Sequence, residues 1–196
     1  ALEFCNKLSE KYGLKPVYDL SQRKNGILKI NQLNGKSKYP NIADFKKTEG
    51  FRLPTEVEWE WFARGGEIAI QDRTFNYEYS GSDNLYEVAW YSGNSEEKTH
   101  DVGAKRPNQL GLYDCSGNVY EWCYDTDNTG YISEKTPYRY DETEKRRVLK
   151  GGTWKYFNYE DSEYKIFKRY SDKAENSQKY YYVLKASYGF RIVRTI

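Results

Sequence analysis

The chain has no methionine and a single histidine among its 196 residues. From the first absence the chain is expected to be a piece of a longer translation product. A segment upstream of Ala1 is therefore expected, and any signal peptide or lipid-attachment cysteine would lie there. The second absence excludes a metal site built on imidazoles, which needs two or three of them. His100 stands between Thr99 and Asp101 in a polar stretch and reads as a solvent-exposed loop residue. It offers no base for Ser-His-Asp or Cys-His catalysis. Cysteine is scarce too: Cys5, Cys115 and Cys123 are an odd number without CxxC spacing, which excludes a zinc ribbon or a dithiol redox motif. They read as free buried thiols, with a Cys115 to Cys123 bridge as the alternative. No apolar run approaches the roughly 18 residues of a membrane span. Neither sign of charge dominates, with Lys plus Arg at 31 against Asp plus Glu at 29. Nothing in that balance points to nucleic acid or an anionic membrane surface as partner.

What is present suits one domain with a core of its own. Ala1, Phe4, Cys5, Leu8 and Tyr12 recur at helical spacing until Gly13 and Pro16 stop the pattern, which predicts a first amphipathic helix. Thr55 and Glu58 after Pro54 form a capping box that predicts a second helix through Trp59, Trp61 and Phe62 to Arg64, closed by Gly65 and Gly66. Its aromatic residues are expected in the core. Residues 27–30, 118–123, 147–150 and 189–193 read as strands between turn-rich stretches. Nothing after Gly66 holds a helical period for long. The class is α+β, with two short helices, a small sheet and extensive loops.

Four further stretches carry a family signature: RLPTEVEWEWFARGG at 52–66, NQLGLYDCSGNVYEW at 108–122, RVLKGGTW at 147–154 and GFRIV at 189–193. With EFCNKLSEKYGLKPVY at 3–18 they resemble, in order and over the whole chain, the sulfatase-modifying-factor domain of the formylglycine-generating enzymes. The resemblance implies a C-type-lectin-like fold, with two short helices beside a small twisted antiparallel sheet. It also implies a single domain over residues 1–196 that lacks the family's N-terminal part. Gly117, Gly151, Gly152 and Gly189 are expected to serve backbone geometry, and Trp122, Trp154 and Phe190 to fill the core.

The resemblance places a structural calcium on Asp114, the carbonyls of Gly117 and Val119, and Glu121. Oxygen ligands of this kind suit that hard cation. The alternative is that both carboxylates bond backbone amides in a tight loop. The family's enzymes oxidise a substrate cysteine with two cysteines of their own, which bind copper(I). Those places fall here on Tyr156 and Asp161, which supply no thiolate. No copper and no catalytic residue are expected. The iron of the related sulfoxide synthases needs more histidine than the chain has.

Residues 155–188 hold eight tyrosines, at 156, 159, 164, 170, 180, 181, 182 and 188. Tyrosine gives a large amphipathic contact area with few rotors to freeze, as in antibody binding loops. In the resembling enzymes this stretch lines the substrate groove. In retroelement-diversified proteins of the same fold it carries the variable binding residues. Tyr156, Phe157, Tyr159, Tyr164, Tyr180, Tyr181, Tyr182 and Tyr188 are therefore the expected ligand-binding face, for a protein or a glycan. Internal packing of these rings is the alternative. The function expected is a non-catalytic binding module in an extracytoplasmic or cell-surface setting. Three alternatives stay open: an oxidoreductase of altered mechanism, a diversified binding protein, and a purely structural domain.

Overall fold

The computed structural model describes residues 1–21, 28–37, 43–128, 138–155, 161–173 and 187–195. Helix α1 (Leu2–Lys11) buries Cys5 and Ser9 and ends at Tyr12, with Gly13 beyond it at φ +68°. The Ser9 hydroxyl donates to the Cys5 carbonyl (2.7 Å) and accepts from the Phe51 amide (2.9 Å), which ties the helix to the strand that follows it in space. Strands β1 (Tyr18–Asp19), β2 (Lys29–Gln32) and β3 (Gly35–Lys36) form an antiparallel ribbon. Strand β4 (Phe51–Arg52) pairs antiparallel with the last strand of the chain.

Helix α2 (Glu56–Ala63) has the predicted capping box, both halves of which form. Arg52 grips both Glu58 oxygens at 2.7 Å, so the box is braced from the preceding strand. Trp59 is fully buried as expected, but Trp61 is 45% exposed and lies tilted against Phe75, 5.6 Å between centroids. The aromatic spacing covers more of the helix than one core-facing stripe can bury. Two helices follow that the sequence pattern did not indicate, α3 (Gly66–Gln71) and α4 (Leu85–Val88). At six and four residues they are too short for a helical period to register.

The main sheet takes β5 (Tyr120–Thr126), β6 (Arg146–Lys150), β7 (Tyr170–Lys173) and β8 (Tyr188–Gly189) in the order β7-β6-β5-β8. Its pairs are antiparallel except β5 with β8, which run parallel. The stretch expected as one strand over 189–193 divides between β8 and β9 (Val193–Arg194), the strand that pairs with β4. Alternation along β5 sorts its side chains onto two faces. Cys123 packs with Trp59, Ala63, Cys115, Val148 and Ile166 on the α2 side. Tyr124 joins Tyr18, Phe45 and Tyr138 on the other.

An ion network fastens α2 to the sheet. Lys150 is fully buried, its Nζ 2.6 Å from Glu60 and 3.8 Å from Glu56. Glu56 also meets Arg139 and Arg169 at 3.0 Å each. Removing one member of such a set strands a buried charge and costs about 3–5 kcal/mol. Of the residues expected in the core, Trp154 is there at 7% exposure, Trp122 is half-buried, and Phe190 is 36% exposed and stands edge-on to Phe4.

Candidate functional site

The turn that leads into β5 carries the expected calcium ligands. Asp114 and Asn118 both adopt left-handed backbone angles, φ +57° and +61°. Asp114 Oδ2 accepts from the Gly103 amide at 2.8 Å, and its Oδ1 is buried without a hydrogen-bond partner. Glu121 is buried on the α2 face, and both of its oxygens accept hydrogen bonds. Trp59 Nε1 and Arg191 Nε donate to Oε2, and Arg191 Nη2 donates to Oε1, all at 2.6 Å. Burial opposes the charge of Arg191, yet the Glu121 carboxylate, with the nearby Cys115 and Asp114, holds its pKa above the ordinary arginine value. Calcium takes six to eight oxygens at about 2.3–2.6 Å. The donor set does not fit that ion as folded, because a guanidinium already spans the carboxylate that would anchor it. Arg191 and Trp59 were not singled out as site residues, and their partner lies 70 and 62 positions away along the chain.

On the opposite face of the sheet the rings form a continuous row. Tyr170 lies 4.9 Å from Tyr120, which lies 6.2 Å from Tyr188, which lies 5.4 Å from Trp122, measured between centroids. Tyr120 is buried, while Trp122, Tyr170 and Tyr188 are half-buried. The Tyr188 hydroxyl donates to Asp172 at 2.7 Å, fixing the ring across the strand gap. Sheet register explains the gathering: Tyr120 pairs with Tyr188, Trp122 with Leu149, and Leu149 with Tyr170. Tyr188 is thus the expected face residue placed in this row. Tyr164 is not. It is 4% exposed and packs with Tyr79, Leu85, Val88 and Tyr91 beneath the Gly152 turn, so it is a core residue and not part of a binding face. Tyr156, Phe157, Tyr159, Tyr180, Tyr181 and Tyr182 lie outside the described residues. Tyr120 and Trp122 were missed as members, although their two-residue spacing in a strand signals one face.

Of the two positions that would carry copper-binding cysteines, Asp161 is exposed and begins a 3₁₀ turn over Asp161–Tyr164; Tyr156 lies outside the described residues. All three cysteines are free and buried. Burial pushes the Cys5 thiol up to about 11 and the Cys115 thiol up to about 12, and raises Cys123 well above its ordinary value. Thiols held protonated in this way are poor nucleophiles and poor copper ligands. His100 is not the exposed loop residue expected. It is half-buried and stacks on Trp90 at 3.8 Å with its planes 11° apart, and its Nε2 lies 2.8 Å from the Ser95 carbonyl.

Among the described residues, four short helices, a mixed four-stranded sheet and long connecting loops define a C-type-lectin-like α+β domain. The chain belongs to the family described as the sulfatase-modifying factor enzyme 1-like domain, whose pattern matches residues 1–196. It is similar to a protein of Paenibacillus barcinonensis named chaperone protein LppX, at 35% identity over 79% of this chain and 55% of the relative. It is also similar to the formylglycine-generating enzyme of Streptomyces coelicolor, at 31% identity over 68% of this chain and 45% of the enzyme. The chain thus spans about half the length of these curated relatives. Among solved structures, Treponema denticola variable protein 1 superposes with a TM-score of 0.67 and 30% identity, over 97% of this chain and 66% of that one. Among the described residues no helix is long and apolar enough to cross a membrane.

Proposed function

We propose that the domain is a non-catalytic binding module that presents the aromatic row Tyr170, Tyr120, Tyr188 and Trp122 to an extended polypeptide outside the cytoplasm. The observation that carries this reading is the row itself, four rings at contact spacing with three of them half-buried. Half-buried aromatics with few rotors lose little entropy when a ligand covers them and are the residues on which binding energy concentrates. A polypeptide is favoured over a glycan because a relative 35% identical carries the name of a chaperone protein. Oxidation by the family's enzymes requires thiolates where this chain has Tyr156 and Asp161, and the cysteines it does have are buried and protonated.

Fluorescence anisotropy with a labelled, reduced and carboxymethylated α-lactalbumin tests the reading, with a glycan array run in parallel. Saturable polypeptide binding is expected, weakened about 10-fold or more by Tyr188→Ala and by Tyr170→Ala in variants that keep the native circular dichroism. Undiminished binding by both variants would remove the row from the mechanism. Glycan binding without polypeptide binding would overturn the ligand class.

A further inference from the structure

A carboxylate as enclosed as Glu121, whose side chain is 8% exposed, needs a counter-charge and donors for both oxygens. In the resembling enzymes a calcium ion meets that need. We propose that in this chain the Arg191 guanidinium is the resident cation of the site, and that the domain holds no structural calcium.

The geometry supports this at each contact. Arg191 meets Glu121 side-on, Nε to Oε2 and Nη2 to Oε1 at 2.6 Å each, the bidentate arrangement in which guanidinium and carboxylate bind most strongly. Trp59 Nε1 adds a third donor at 2.6 Å. A calcium ion on these oxygens would have to expel the guanidinium and leave a second buried charge without its partner. Arg191 Nη2 also donates to the Tyr113 carbonyl at 3.1 Å, one peptide from Asp114, so its charge lies beside the second carboxylate of the expected set. Asp114 keeps Oδ2 on the Gly103 amide, while its Oδ1 is buried without a hydrogen-bond partner and has the neighbouring Arg191 charge to offset it. The Arg191 plane is held from below by Phe62, 5.6 Å from the guanidinium carbon to the ring centroid.

An ion can leave, whereas a side chain is tethered. The Glu121 bond therefore ties the segment between β8 and β9 to β5, and through Trp59 to α2, under any concentration of divalent cation. Thermal unfolding after exhaustive dialysis against EGTA, compared with excess calcium, reads this directly. The two midpoints are expected to agree within about 1 °C, where a resident calcium at ~100-fold its Kd would separate them by roughly 5–10 °C. Terbium luminescence excited through Trp59 gives a second reading on the native protein. No saturable emission that calcium displaces is expected. A midpoint that falls by several degrees in EGTA, or saturable terbium emission competed by calcium, would overturn the proposal. Arg191→Gln is expected to lower the midpoint equally in EGTA and in calcium. An unchanged midpoint in that variant would also overturn it, and if the variant does not fold, the wild-type measurements decide alone.

Discussion

Gly117 is the position where a single added methyl group should cost most. Its φ is +78°, and a Cβ built there would lie 2.3 Å from the Trp90 carbonyl oxygen and 2.9 Å from the Trp90 carbonyl carbon and amide nitrogen. These are backbone atoms, so no rotamer change relieves the contact. The left-handed angle alone costs about 1–2 kcal/mol in alanine. Separating the two backbones stretches the Asn118 amide bond to the Trp90 carbonyl, now 2.7 Å, at about 1 kcal/mol, and overpacking adds about 1–3 kcal/mol. Gly117→Ala should therefore destabilise by about 3–6 kcal/mol. Gly111 provides the control, with a similar φ of +73° and nothing within 4 Å of an added Cβ. Gly111→Ala should lose only the angular term, about 1–2 kcal/mol. Urea unfolding followed by tryptophan fluorescence compares the two. A Gly117→Ala variant that loses no more than Gly111→Ala would refute the close approach as the reason for this glycine.

Asp125 gives a prediction in pH. Burial pushes its carboxyl up from 3.8 to about 6, against the pull of the Arg139 and Glu56 amides. A raised acid pKa means that the folded state keeps its proton longer than the unfolded one. Its contribution is therefore present below pH ~4 and is lost as pH rises to ~6, by roughly 2–3 kcal/mol. Glu58 adds the opposite slope in more acid solution, since Arg52 outweighs burial and holds its pKa below the ordinary value. The contrast to measure is thus unfolding free energy between pH 4 and 6 in wild type and in Asp125→Asn. Parallel curves would show that Asp125 does not titrate in this window. The thiols give another test: in the native protein the three cysteines should react with Ellman's reagent far more slowly than in urea, because all are buried and protonated. One thiol reacting at the unfolded rate would contradict that burial.

Local grammar made part of this fold legible. The capping box at Thr55 and Glu58 and the glycine stop after α1 are written in neighbouring residues, and both formed as read. The motif order led to the family and its fold class, because five ordered segments specify a scaffold even where their spacing does not specify contacts. What stayed hidden is non-local. Arg191 and Glu121 meet across 70 residues, and no pattern in either segment names the other. Tyr164 looks like its neighbours in the tyrosine-rich stretch, yet the turn that ends there carries it beneath Gly152 into a small core. His100 reads as a polar loop residue until the chain brings Trp90 over its ring. Trp61 shows the reverse, an apolar residue that composition assigns to the core and helix geometry leaves outside.

Asn118 has a consequence for how this scaffold can change. Its side-chain amide stands in for a peptide group, accepting from the His100 amide and donating to the His100 carbonyl, each at 3.1 Å. Its own backbone bonds the Trp90 carbonyl at 2.7 Å and accepts from the Trp154 amide at 2.8 Å. One residue thus clamps three distant segments in place, and the exposed residues 96–99 and 101–104 hang between fixed points. Lengthening a loop whose ends are already pinned costs little, about 0.6 kcal/mol for each doubling. The clamp separates the part of the chain that must keep its geometry from the part that is free to vary, and so lets new surfaces be tried without putting the fold at risk.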